Sequence, residues 1–249
     1  MTKNPFRYFK TSREVIQLAV MMYVRFPLSL KNVEDLLHER GIEVSHESVR
    51  LWVDRFGPVF AKQIRVERSA YLRRHTQWQW NLDEVFVKIN GVQHYLWRAV
   101  DLEGEVLECF VTRKRDKLAA LRFLKKAMRR YGPPQMVVTD KLRSYGAAMR
   151  DIGNQSLQNT EQYANNRAEY SHRPFRRREY AMTRFRRTSA LQKFVSTHAS
   201  IYNHFNHQRH LESRIRFKAM RDASLIEWRE LVVALDLMSG ENSDLIILS

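Results

Sequence analysis

The chain has 249 residues, 44% of them hydrophobic and 11% aromatic, enough for a packed core, and wholesale disorder is excluded. Its 43 Lys and Arg against 27 Asp and Glu give a formal net charge of +16, which points to a polyanionic partner bound with steep salt dependence. A single cysteine, Cys109, excludes an intramolecular disulfide and any zinc site that needs a cysteine pair.

Residues 12–56 read as helical. Ser12, with Glu14 in the first turn, opens a helix whose apolar positions Val15, Ile16, Ala19, Val20, Tyr23 and Val24 follow helical spacing, and Pro27 breaks it. Ser29 caps a second helix with Val33, Leu36 and Leu37 on one face, stopped by Gly41. Ser45 caps a third, with Val49, Trp52, Val53 and Phe56 inward, ended by Gly57-Pro58. Two short helices joined by a Gly-containing turn form a helix-turn-helix pattern, and a small three-helix bundle shares the same periodicity. With the net charge, the expectation for residues 1–58 is an all-α helix-turn-helix DNA-binding domain. His46, Ser48 and Arg50 would then lie near the exposed start of the recognition helix, where base edges are met.

Residues 59–76, with Lys62, Arg65, Arg68, Arg73 and Arg74, read as a basic connector, helical in its first part. The period then changes. Segments 82–89, 93–101 and 105–112 are β-rich and separated by Asn90-Gly91 and Glu103-Gly104, which predicts three antiparallel strands. Residues 116–131 return to helix, ended by Gly132-Pro133-Pro134. Residues 135–139 form a short apolar strand of the buried parallel type, and 141–152 a short helix. Residues 153–164 are polar and loop-like, with room for a brief strand, and 166–206 are helical and strongly basic. A strand meander followed by helix, strand and helix is α/β order, the order of an RNase H-like catalytic domain: a mixed sheet flanked by helices, assigned to residues 77–230. The last stretch, 231–249, is a tail to which no role is assigned.

Three carboxylates stand where such a fold needs them. Asp83 lies on the first strand, on the same face as Val85, Val87 and Ile89; Glu84, on the other face, is the rival candidate. Asp140 follows the buried strand just before a helix, where open α/β sheets place their ligands; ordinary helix capping is the competing explanation. Glu169 has His172, Arg173 and Arg176 at helical spacing behind it. Pro174 leaves two options there, a helix that begins near Ser171 or a kinked one. Three carboxylates brought together repel and take up protons unless a cation neutralises them. Oxygen-only ligands suit Mg²⁺ or Mn²⁺, and a pair of such ions supports phosphoryl transfer on nucleic acid. Between residues 173 and 187 there are seven arginines, Arg176, Arg177 and Arg178 consecutive among them; beside Glu169 they read as phosphate-positioning groups.

Asp83, the run Thr139-Asp140-Lys141 with Tyr145, and Asn165-Asn166-Arg167-Ala168-Glu169 followed by His172-Arg173-Pro174-Phe175-Arg176-Arg177-Arg178-Glu179 resemble the DDE transposases of bacterial insertion sequences, most nearly insertion-sequence family six. The resemblance runs from about residue 5 to 230, and its Thr-Asp-Lys and Asn-Asn-x-x-Glu-x-x-His blocks are the specific parts. It implies that Asp83, Asp140 and Glu169 are catalytic and hold the metal ions, and that Arg176 is the basic residue seven positions after the glutamate. With the helix-turn-helix and arginine-run readings, the residues expected to meet DNA are His46, Ser48, Arg50, Lys141, His172, Arg173, Arg176, Arg177 and Arg178. The partners would be double-stranded terminal inverted repeats and target DNA, with strand cleavage followed by joining of 3′ ends. A homodimer or larger oligomer is expected, since two transposon ends need two active sites. A catalytically inactive DNA-binding regulator descended from a transposase is the alternative; it would have lost a triad member, and none is missing. No histidine has Arg three residues on, which disfavours a tyrosine recombinase. No apolar run approaches the roughly 18 residues of a membrane span, and residues 1–7 lack the apolar stretch of a signal peptide. The expectation is a cytoplasmic, nucleoid-associated protein with no membrane partner.

Overall fold

The computed structural model describes residues 4–74, 79–140, 142–161, 165, 168, 171–182, 185–207 and 212–239. By compactness the chain divides into two units, Met1–Gln63 with His204–Ser249, and Ile64–Asn203. The units are drawn differently from the sequence boundaries at 58, 76 and 230, because the C-terminal segment groups with the N-terminal helices.

The first unit is helical. Helix α1 (Arg13–Arg25) is capped by Ser12, whose hydroxyl accepts the Val15 amide, and it buries Ile16, Ala19, Val20 and Val24. Helix α2 (Leu30–His38) begins with a reciprocal capping box between Ser29 and Asn32. It ends at Gly41, whose φ of 72° only glycine adopts at little cost, with the Ile42 amide returned to the Leu37 carbonyl at 3.0 Å.

Helix α3 (His46–Arg74) does not stop at Gly57-Pro58 as expected; Pro58 lies inside it. An internal proline costs about 3 kcal/mol through its missing amide and the clash one turn back. Phe56 before it and Phe60, Ala61 and Ile64 after it continue one buried stripe. Phe6 stacks on Phe56 at 4.4 Å, and Phe60 meets Trp228 at 5.2 Å. Each such side chain contributes roughly 1.5–3 kcal/mol on burial, so the stripe outweighs the proline and the basic connector becomes a continuation of α3.

The chain's last described helix, α8 (Arg214–Ser239), includes part of the tail to which the sequence assigned no role. It buries Trp228, Leu231 and Val232, and its Trp228 carbonyl accepts from Gln17 of α1. The remainder of that tail, 240–249, lies outside the described residues.

The second unit is built on a five-stranded sheet. Strands β1 (Gln79–Ile89), β2 (Val92–Val100) and β3 (Val106–Thr112) form the antiparallel meander, and β4 (Met136–Val138) runs parallel to β1. A two-residue strand, β5 (Gln158–Asn159), pairs parallel to β4, giving the order β3-β2-β1-β4-β5. The first hairpin turns at Asn90 and Gly91, with φ of 50° and 79°, as a tight two-residue turn requires.

Helices α4 (Lys117–Tyr131) and α5 (Arg143–Ile152) cover one face of the sheet, where Trp80, Leu82, Trp97, Phe123, Leu124 and Tyr145 form the core. Helices α6 (His172–Ala181) and α7 (Thr188–Phe205) follow. From α7, Gln192 accepts the Val111 amide at 2.8 Å and Asn203 brackets Val106, so the open edge of β3 is covered. This is the expected α/β, RNase H-like arrangement, a mixed sheet flanked by helices, with a helical N-terminal region. Phe123, fully buried and 6.2 Å from Trp97, tests that core. Phe123→Ala is expected to cost about 3–5 kcal/mol, read as a lower midpoint in urea unfolding.

Candidate active site

Strand β1 is buried on both faces, so its alternation carries two neighbouring carboxylates in opposite directions. Asp83 stands opposite Arg98 of β2 in the strand register. Its Oδ1 accepts the Glu84 amide at 2.7 Å. Its Oδ2 lies 2.7 Å from His172 Nε2, an ion-pair distance off the line of an aligned hydrogen bond. The side chain keeps 15% of its surface exposed. Glu84 keeps 1%, on the opposite face, and is bonded to Arg115. Burial, with Asp140 adding to it and Arg115 opposing, pushes the Glu84 carboxyl up to about 7. The rival candidate is thus committed to an internal partner, and Asp83 is the open one.

Strand β4 ends one residue before Thr139, and Asp140 follows. Its Oδ1 accepts the Leu142 amide at 3.1 Å and its Oδ2 meets Arg115 Nη2 at 3.5 Å, with 42% of the side chain exposed. Helix α5 is capped at Leu142 without a side-chain bond, so Asp140 is not its N-cap residue. Partial burial raises the Asp140 carboxyl above the usual range. The Leu142 amide and Arg115 oppose that shift, and the nearby charge of Asp83 adds to it. A carboxylate whose proton affinity is raised beside a second carboxylate forms with it a donor set that a divalent cation fits.

Glu169 and Lys141 lie outside the described residues. The positions around Glu169 are informative. Asn165 Nδ2 donates to the Leu82 carbonyl at 2.8 Å, its Oδ1 meets Asn81 Nδ2 at 3.5 Å, and the fully buried Ala168 returns its amide to the Asn165 carbonyl. Ser171 and Pro174 settle the geometry left open by the sequence: α6 begins at His172, and Pro174 falls in its first turn, where no amide is needed. Among the described residues no group of three or more His, Cys, Asp or Glu is arranged to hold a metal ion.

The arginines of α6 separate by face. Arg173 and Arg177 are exposed, one turn apart, with Tyr180 beyond them 86% exposed. Arg176 turns inward to the Phe86 carbonyl (2.8 Å) and to Glu179. Arg178, expected from its run to meet DNA, is corrected: it is 1% exposed, with its guanidinium 5.9 Å from the Phe194 ring. Helical periodicity turns one member of any consecutive run toward the core. In α3, His46 is tied to Glu34 of α2 through both its amide and Nδ1, at 2.9 and 2.8 Å. Arg50 is exposed and paired with Glu47, and the Ser48 amide donates to the Ser45 hydroxyl. Sequence reasoning missed the roles of Arg115 and Asn165. Asn165 stood inside a quoted motif, whereas Arg115 carries no spacing signal within Arg113-Lys114-Arg115.

A family model described as a DDE domain matches residues 77–208, the segment that holds Asp83, Asp140 and Glu169. The transposase for the insertion sequence-like element IS431mec of Staphylococcus aureus is 34% identical over 176 residues, 68% of this chain and 76% of that protein. The transposase for insertion sequence element IS257 in transposon Tn4003 of the same species is 33% identical over the same shares. A simian T-cell lymphotropic virus intasome in complex with PP2A regulatory subunit B56 gamma is similar at a TM-score of 0.42 and 15% identity, over 55% of this chain and 52% of that one, too slight a likeness to argue from. The domain match over more than half the chain and the identity across its relatives agree with the carboxylates on β1 and after β4: the chain belongs to the DDE transposases of insertion sequences, family six.

Proposed function

We propose that this transposase binds the terminal inverted repeats of its element, cleaves DNA strands there, and joins the 3′ ends to target DNA. The observation that carries the reading is the convergence of Asp83 on β1 and Asp140 just past the parallel-paired β4, close enough for the Asp83 charge to raise the Asp140 carboxyl. Glu169 would complete the set: the residues around it, Asn165 and His172, attach to β1 at Leu82 and Asp83. Asp83, Asp140 and Glu169 would hold Mg²⁺ or Mn²⁺, two ions in all, whose chemistry is to activate the attacking water or 3′-hydroxyl and stabilise the leaving oxygen.

The chain's own groups orient that chemistry. The Glu84 amide fixes one oxygen of Asp83 and the Leu142 amide fixes one oxygen of Asp140, while the second oxygens meet His172 and Arg115. Exposed Arg173 and Arg177, with Lys141, would position phosphates. His172, beside Asp83, and Arg176, on the β1 backbone, would shape the same wall. His46, Ser48 and Arg50 at the start of α3 would read the repeat in a module of residues 1–58, with catalysis in 77–230. Two ends require two such sites, hence a homodimer or larger assembly on DNA at the nucleoid.

The test is Mg²⁺-dependent nicking and strand transfer on a duplex that carries the element's terminal repeat, with Glu169→Gln beside wild type. The expected result is cleavage and joining by wild type and a loss of about 10³-fold or more in the variant, as the removal of a metal ligand implies. A variant that cuts at the wild-type rate removes Glu169 from the site. A wild type that binds the repeat and cuts under neither Mg²⁺ nor Mn²⁺ favours the DNA-binding regulator.

A further inference from the structure

Asp140 sits in a loop at the open end of the sheet. Within that loop the Leu142 amide holds its Oδ1 and the Thr139 hydroxyl holds its carbonyl. Its other hold comes from the β3–α4 connection, where Arg115 Nη2 lies 3.5 Å from Oδ2. Arg115 is itself anchored: Nε and Nη2 both reach Glu84 Oε1, and the guanidinium lies 5.6 Å from the Phe86 ring. Glu84 is walled into the sheet with 1% of its side chain exposed, whereas Arg115 keeps 31%. A carboxylate at that depth is costly unless it is paired, so the pair has a reason to be there beyond surface decoration. The planar fork of Arg spans two carboxylates, which a single ammonium does poorly.

Glu84 therefore serves both ends of the candidate site. Its main-chain amide holds Asp83, and its side chain reaches Asp140 through Arg115. We propose that Arg115, anchored on the buried Glu84 carboxylate, is a positioning residue that holds Asp140 in register with Asp83 before the cations enter. The inference rests on the metal-assisted reading above. Arg115 touches no reacting atom; its effect passes through Asp140.

The experiment is calorimetric titration of Mn²⁺ into the full-length, DNA-free protein, for wild type, Glu84→Gln, Arg115→Gln, the double variant and Arg115→Lys. Binding to the terminal-repeat duplex is followed in parallel. Each single variant is expected to weaken Mn²⁺ binding by about tenfold, the loss of a preorganised ligand, with duplex affinity unchanged. The double variant is expected to be no worse than either single, because the two residues act as one device. Arg115→Lys is expected not to restore binding. Unchanged Mn²⁺ affinity in Glu84→Gln overturns the proposal, as does a double variant whose loss is the product of the singles. Should Arg115→Gln fail to fold, Glu84→Gln and Arg115→Lys still decide it, since Glu84→Gln leaves no buried charge behind. A wild type that binds no Mn²⁺ is a different failure, of the metal reading itself, visible before any variant is compared.

Discussion

Asp140→Asn is expected to lower strand cleavage by about 10³-fold or more, a loss on the order of 4 kcal/mol of transition-state stabilisation. Its affinity for the terminal-repeat duplex should stay close to wild type. The amide keeps the shape of the carboxylate and can still accept the Leu142 amide bond, so the loop has no reason to refold. What disappears is the negative charge on a carboxylate that meets Arg115 at 3.5 Å and keeps 42% of its side chain exposed to a ligand. Asp83→Asn should behave alike, because Asp83 is the less buried of the two carboxylates on β1. Gel-resolved nicking under Mg²⁺, with a mobility shift on the same samples, measures both quantities. An Asp140→Asn protein that cuts at the wild-type rate would sink the assignment, and one that neither cuts nor binds would show that the substitution had damaged the fold.

The second large effect is of salt. Affinity for the terminal-repeat duplex is expected to fall by about 10³-fold between 50 and 200 mM salt, the behaviour of a protein that neutralises six or more phosphates. The excess of 16 positive charges makes this the dominant non-specific term. Exposed Arg173 and Arg177 are expected to contribute to it, and buried Arg178 is not. Arg173→Ala and Arg177→Ala should each reduce the log–log salt slope by about 1. Arg178→Ala should leave the slope alone and lower the unfolding midpoint. Fluorescence anisotropy across a salt series reads the slope, and a nearly flat one would contradict phosphate-dominated binding.

Much of this molecule was legible from local pattern. Two-residue alternation bounded by Asn90-Gly91 and by Gly104 marked the strand meander, and Ser12, Ser29 and Gly41 marked helix ends, because turns and caps are decided by residues within one turn of each other. Asp83 and Asp140 were legible for a related reason. Asp140 just past a short apolar strand and Asp83 within an alternating one are local signals, and the blocks quoted with them resemble one family.

What the sequence determined by itself was the kind of element, its order, and the identity of the family. The tertiary structure decided which neighbour each side chain received. Pro58 should end a helix by local rules, yet α3 continues because Phe56 and Phe60 are buried together on either side of it. Asp83 and Glu84 are adjacent and chemically alike, and only the layers on the two faces of β1 make one open and the other internal. Arg115 reaches Glu84 and Asp140 across 31 and 25 residues of chain, and Arg178 turns inward because α7 offers it Phe194. Periodicity is a property of a few consecutive residues and is written in their order. Burial and charge pairing are set by elements that meet only after the sheet has formed.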